Sequence, residues 1–297
     1  MRIVSLVPHA TELLFALGLG DQVVGVTHEC DHPAAAQARR HVTRDRLPPG
    51  LSSKEIDAAV REFTEGGEAI YALDEDVLRE LRPDLIVTQA LCPVCAVSYE
   101  DVRAIAERME PAPKVVALDP KTYGETLADV RTVALAADAQ TAGVALVASA
   151  SRRVAAVEEA VAGVGRRPRV AALEWFDPVF VAGHWTPQLI EMAGGFDVLG
   201  FAGEHSEQTT WEMVKAAEPD VVIAMPCGYG AERAREEALL YAERLRDVGA
   251  GQVVAVDAAA TFSRPGPRLV DGLETLAHVL HPDRVPEAPG PALVVEV

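Results

Sequence analysis

Residues 139–164, AQTAGVALVASASRRVAAVEEAVAGV, constrain the fold of this chain more than any other stretch. The run has no proline, one interior glycine at Gly143 and nine alanines, so its helix propensity is high throughout. Gly163 and Gly165 follow the last turn and Pro168 stands just beyond, which stops the helix. At 1.5 Å per residue it extends roughly 35–40 Å, the width of a whole domain. Its apolar positions (Val144, Leu146, Val147, Val154, Val157 and Val161) lie on no single stripe, the mark of a rod that touches different partners along its length. Strand–helix alternation stops before it and restarts after it, so it reads as a spine. The expected division is an N-terminal α/β lobe over 1–137, a connecting backbone helix over 138–166, a C-terminal α/β lobe over 167–284, and a proline-rich surface tail over 285–297.

In the first lobe, 2–7 (RIVSLV), 22–27 (QVVGVT), 84–89 (DLIVTQ) and 114–119 read as strands, separated by helices over 10–18, 52–63, 73–81 and 98–109. In the second, 169–175, 179–182, 220–225 and 252–257 read as strands. Helices are expected there over 186–193, 209–217, 231–245 and up to about residue 280. LRPDLIVTQ in one half and AEPDVVIAM in the other are visibly similar, a hint of duplicated architecture. The expectation is an α/β chain of two Rossmann-like lobes with mainly parallel sheets, joined by a single long backbone helix.

The formal net charge of −18 provides no basic face for phosphates, which argues against nucleic acid as a partner. No stretch approaches the roughly 18 apolar residues of a membrane span. The opening MRIVSLVPHATELLFALG has Arg2 as its one basic residue, is interrupted by Pro8, His9 and Glu12, and has no small-residue cleavage site. The expected location is therefore cytoplasmic, where four cysteines are thiols or metal ligands rather than disulfides.

Ligands of open α/β sheets bind outside the carboxyl ends of the strands. Those ends carry VPHATE, THECDHP, TQALCPVC, EWFDPVFVAGHW, MPCGYG and TFSRPGPR, where cysteine, histidine and tryptophan gather. Cys92 and Cys95 form a CxxC at a strand-to-helix junction, readable as a redox dithiol or as half a metal site. Cys30 and Cys227 stand at other strand ends, one in each lobe. Four converging thiolates would suit Zn²⁺ or an iron–sulfur cluster, while burial of Cys30 and Cys227 as small apolar residues is the plainer alternative. His28 reads as a hydrogen-bonded loop histidine and His32 as the better metal-facing imidazole. Trp185 is the candidate wall for a flat ligand, with Tyr229 and Phe262 behind it, whereas Trp211 reads as core. No GxxxxGK[ST], HExxH, GxSxG or complete GxGxxG is present, so catalysis is not expected; the enzyme alternative is a thiol oxidoreductase using Cys92 and Cys95.

SLVPHATELLFALGLGDQVVGVTHECDHP, LRPDLIV, the lone spine, AGG and SRPGPRLVDGLETLAHVLHP together resemble the class III substrate-binding proteins, the helical-backbone metal receptors, and within them the cobalamin-binding subset. That resemblance covers roughly residues 2–282. It implies a binding protein, related to the receptors of ABC importers, that holds cobalamin, a related corrinoid or another metal chelate between two lobes. Carried over by position, His9, His32, Gln89, His184, Trp185, Tyr229, Phe262 and Arg264 would face the ligand. Asp76 and Glu212 match the acidic residues with which such receptors dock on a membrane permease. Receptors of this kind are exported, and the B12 and siderophore receptors lack the four cysteines, so this chain departs from the pattern in both respects.

Overall fold

The computed structural model describes residues 1–66, 69–90 and 97–297. Contacts divide the chain into two compact units, Met1–Pro120 with Leu127–Val147, and Lys121–Thr126 with Ala148–Val297.

The first unit runs β1 (Ile3–Ser5), α1 (Pro8–Ala16), β2 (Val23–Val26), β3 (Arg40–His41), β4 (Thr43–Asp45), α2 (Ser53–Glu65), β5 (Tyr71–Leu73), α3 (Glu75–Leu81), β6 (Leu85–Gln89), α4 (Tyr99–Glu107) and β7 (Lys114–Leu118). Helices α5 (Tyr123–Ala136) and α6 (Gln140–Val161) follow, and the chain crosses between the units inside each of them. Among the described residues the main sheet has the order β3-β2-β1-β6-β7 and every pairing in it is parallel. Alternation along the strands sends Ile3, Leu85 and Val87 to one core and Val4, Leu6 and Ile86 to another, so both faces are covered. The expected spine is α6, about 33 Å long at its 22 residues. Its interior glycine has a packing reason. A Cβ at Gly143 would stand 2.6 Å from Cβ of Ala134, so the glycine lets α5 and α6 approach closely.

The second unit continues with β8 (Arg169–Phe176), β9 (Val179–Val181), α7 (Thr186–Met192), β10 (Phe196–Asp197), β11 (Glu207–Gln208), α8 (Trp211–Ala216), β12 (Val221–Ala224), α9 (Ala231–Leu240), α10 (Ala242–Val248), β13 (Gln252–Val256), α11 (Ala258–Thr261), α12 (Leu269–Leu280) and β14 (Ala292–Val294). Its sheet is ordered β11-β9-β8-β12-β13-β14, with β10 added beside the start of β8. The centre is parallel, while β9, β11 and β14 pair antiparallel with their neighbours.

Two expectations change here. The tail is not simply surface chain, because β14 pairs with β13 and Val295 is buried behind it. The charged helix expected over 231–245 breaks at Tyr241, whose φ of −109° leaves the helical region. At the break the Tyr241 ring stacks 5.4 Å from Phe176 and 6.2 Å from Trp211, and Trp211 packs, partly buried, against the second unit's core.

The similarity between LRPDLIV and AEPDVVIA proves to be one repeated corner. In each unit a capped helix ends at a residue in the left-handed region, Arg82 (φ 42°) or Glu218 (φ 44°), just before Pro-Asp. The aspartate then accepts the backbone N–H of an arginine at the start of the neighbouring strand: Arg2 to Asp84 at 2.7 Å, Arg169 to Asp220 at 2.8 Å. Each arginine returns its guanidinium to carbonyls at the end of the same helix, Arg2 to Leu81 and Arg169 to Ala217 and Glu218. Orphan carbonyls at the helix end are thereby satisfied. The motif exists because strand, turn and helix end share one hydrogen-bonded joint.

Candidate ligand-binding site

In the first unit the carboxyl ends of β1 and β2 bring Thr27, His28 and Cys30 together. His28 is held from one side only. Its Nδ1 lies 2.7 Å from the Thr43 hydroxyl, which also accepts the His28 backbone N–H at 3.2 Å. The Tyr71 ring meets the imidazole edge-on at 5.1 Å, and the Tyr71 hydroxyl donates to Glu29 at 2.9 Å. Nε2 of His28 is buried and has no hydrogen-bond partner. His28 lines a small, partly open recess with Leu6, Pro8, Thr27, Tyr71 and Val97. A buried imidazole nitrogen left unpaired costs about 1–3 kcal/mol, so this orientation favours anything that supplies a partner. The loop-histidine expectation for His28 thus describes only half of the ring.

Cys30 is buried, and its sulfur sits 3.0 Å from the Thr11 hydroxyl and 3.1 Å from that of Thr27, within the apolar core. His9 on α1 and Gln89 at the end of β6 are also buried, and Gln89 pairs in register with Leu118. His32 is exposed. Cys92 and Cys95 lie outside the described residues.

In the second unit, the segments after β8, β9, β12 and β13 assemble a denser polar group. Glu174 accepts the Ser206 hydroxyl at 2.5 Å, and dense packing around its carboxyl pushes its pKa up to about 7, the serine opposing that rise. The Glu174 carbonyl accepts the backbone N–H of Cys227 at 3.1 Å, and the Ser263 hydroxyl accepts that of Gly228 at 3.1 Å, tying three strand ends together. Cys227 is exposed and Arg264 partly so. Tyr229 is buried, meets Trp175 edge-on at 5.8 Å, and carries the Arg233 guanidinium 3.7 Å over its ring. His184 and His205 face each other with Nε2 and Nδ1 3.1 Å apart.

Trp185 and Phe262 form a packed pair: the indole N–H donates to the Phe262 carbonyl at 2.8 Å, and the residues are 5% and 2% exposed. In this structure neither presents an open wall, because the indole closes the turn that Phe262 begins. His184 lies against the indole at a 5.4 Å ring separation and is the accessible member of that trio.

Two residues here, His205 and Glu174, are not among the sequence candidates, and His28 stands among them only as a hydrogen-bonded loop histidine. His28 is held by Thr43, Glu174 by Ser206, and the exposed His205 by His184, and no strand-end motif marks Thr43 or Ser206. Among the described residues no group of three His, Cys, Asp or Glu side chains converges as a metal site. The described residues therefore do not by themselves provide a four-thiolate centre. No helix among them is long and apolar enough to cross a membrane. Asp76 and Glu212 are both exposed in the first turns of α3 and α8, the two helices of the repeated corner.

Comparison with known proteins bears on this arrangement. A family model described as periplasmic binding protein matches residues 3–255. The vitamin B12-binding protein of Vibrio vulnificus (strain YJ016) is 45% identical over 42 residues, 14% of this chain and 15% of that protein's length. An uncharacterized ABC transporter substrate-binding lipoprotein of Bacillus subtilis (strain 168), YvrC, is 24% identical over 96% of this chain and 82% of its own. Among solved structures, a periplasmic heme-binding protein from Pseudomonas aeruginosa superposes with a TM-score of 0.73 at 17% identity, covering 100% of this chain and 98% of that one.

Proposed function

We propose, for a chain that belongs to the periplasmic binding protein family, that it binds a corrinoid or a closely similar metal chelate and performs no reaction on it. One observation carries the reading. Imidazoles gather at the carboxyl ends of the strands in each unit, His28 in one and His184 with His205 in the other, and His28 keeps a buried nitrogen without a partner. Imidazole nitrogen is a good donor for cobalt and iron, and a buried unpaired one gains most from acquiring a metal or a donor group. The names of the relatives, vitamin B12-binding and heme-binding, support the same chemical class.

Calorimetry and visible spectroscopy with cobalamin, cobinamide and haem test it. Binding should produce heat and a shifted absorption band, and His28→Ala and His32→Ala should each weaken binding or alter that band. Absence of heat with all three ligands would sink the proposal. Metal analysis of protein purified without oxygen addresses the other chemistry of the chain: zinc or iron lost on replacing Cys92 or Cys227 would move the reading to a cysteine-bound metal centre. Docking on an ABC permease through Asp76 and Glu212 belongs to the proposal, supported by their exposure and equivalent placement. Reversing both charges should abolish co-purification with a permease and leave ligand binding intact. The expected cytoplasmic location is the alternative to that docking, since an importer's receptor meets its permease on the outer face, and cell fractionation decides between the two.

A further inference from the structure

The antiparallel ladder of β9 and β11 pairs Val181 with Glu207 and Phe180 with Gln208. Continuing that register places Gly183 opposite His205 and His184 opposite Glu204. The backbone follows it: the His184 N–H donates to the Glu204 carbonyl, and the Gly203 N–H to the His184 carbonyl at 2.8 Å. Gly183 is required for the approach, since a Cβ there would lie 2.4 Å from the Ser206 nitrogen and 2.5 Å from the His205 carbonyl carbon.

In a regular ladder, His184 and His205 would point to opposite faces, because side chains alternate along a strand. His184 instead has φ +52°, in the left-handed region. That departure turns its ring onto the side of His205, and the two imidazoles stand at 87° with 3.1 Å between their facing nitrogens.

We infer that His184 Nε2 and His205 Nδ1 form a two-imidazole site for a first-row divalent transition-metal ion. Metal–nitrogen bonds of about 2.0–2.1 Å spanning 3.1 Å enclose an angle of about 100°, a cis arrangement common to tetrahedral and octahedral centres. The ladder fixes both backbones in advance, so the ion replaces one hydrogen bond without rearranging the loops. In the neutral pair one imidazole carries its proton between the rings. On metal binding that proton passes to the outer nitrogen of the same ring, and no net charge is lost from the protein. No third His, Cys, Asp or Glu side chain joins the pair among the described residues. The remaining positions are therefore filled by water or by donors that the ion brings with it. The formal charge of −18 attracts cations generally, and the imidazoles select the softer transition ions over Mg²⁺ and Ca²⁺. This inference does not depend on the proposed chelate.

The test titrates the full chain with NiCl₂ alone, followed by calorimetry and histidine ring NMR. Substoichiometric Ni²⁺ should broaden the rings of His184 and His205 ahead of the other six histidines. His205→Ala, at an exposed position, should weaken the first binding event at least tenfold, and His205→Gln should do the same. His184→Asn, which tolerates the left-handed backbone, should match them. Thermal melts without metal establish that each variant is folded. Equal nickel affinity in any folded variant overturns the site, as does first broadening at other histidines. If nickel binds here while cobalamin, cobinamide and haem give no heat, the proposed function falls and this site stands.

Discussion

The two units share one corner and differ at their edges. In both, an arginine, a Pro-Asp turn and a helix end interlock in the same way. The first sheet stays parallel to both of its edges, whereas antiparallel strands from sequence-distant segments close the second. A parallel strand delivers its loop to the ligand-facing end and then leaves through a helix. An antiparallel edge holds two neighbouring loops in register, and it is there that His184 meets His205. The repeated corner supplies the framework, and the edges decide which side chains are held in pairs.

All three tryptophans, Trp175, Trp185 and Trp211, fall in the second unit, so their fluorescence follows its unfolding separately from the first. Gly183→Ala should have the largest effect, about 3 kcal/mol, because the added Cβ meets backbone rather than a mobile side chain. Gly25→Ala in the first sheet should cost nearer 1 kcal/mol, since its 2.6 Å contact is the end of the Leu81 side chain, which can move. Equal losses in urea titrations would erase the distinction between backbone-walled Gly183 and side-chain-walled Gly25.

Next comes Glu174. Its carboxyl binds a proton more tightly when folded than at its ordinary value of 4.5, so its burial costs nothing below about pH 4.5. The penalty grows as pH rises and is complete above about 7. Glu174→Gln should therefore leave stability unchanged at pH 4 and raise it by about 2–3 kcal/mol at pH 8. A pH-independent difference in tryptophan-monitored melts would contradict the assignment. The described polar strand ends of the first unit are held by hydroxyl and imidazole contacts instead.

Within the shared corner, Asp220→Ala should cost about 2 kcal/mol and Asp84→Ala about 1 kcal/mol. Asp220 also receives the exposed Arg166 guanidinium at 2.7 Å, and the corner bond itself is charge-assisted in both. Local hydrogen exchange at Arg2 and Arg169 reads each joint separately. Ser52→Ala is the smallest change. It removes the capping box that Ser52 and Glu55 build on α2, for about 0.5–1 kcal/mol in the first unit, and should leave the tryptophan signal unmoved.

Apolar runs such as LIVTQ and VVIA made the central strands legible, because a strand buried on both faces must be continuously hydrophobic. The spine was legible from alanine content and its glycine stop. The edge strands were not: β3, β10 and β11 are two residues each, too short for any periodicity to register. Glu207 and Gln208 pair as a strand only because Val181 and Phe180 supply a partner. Of the candidate site, His184 could be placed at a strand end, but its partner His205 lies in a polar loop without a motif. Trp185 could be located, while the use of its N–H by Phe262, 77 residues away, is a property of the folded chain. His28 could be read as a polar loop residue; only the position of Thr43 shows which of its nitrogens stays unpartnered.

The strand β14 sets an order of events during synthesis. β8, β12 and β13 leave the ribosome in succession and can pair as they come. Until residues 292–294 follow, Val254, Ala255 and Val256 have no neighbour on their outer side, since β14 is what pairs with them. A growing chain therefore carries an open, valine-rich strand edge, a template for joining with another nascent copy on the same message. Deleting residues 292–297 leaves that edge open permanently, and the yield of native protein from the cell should fall with it.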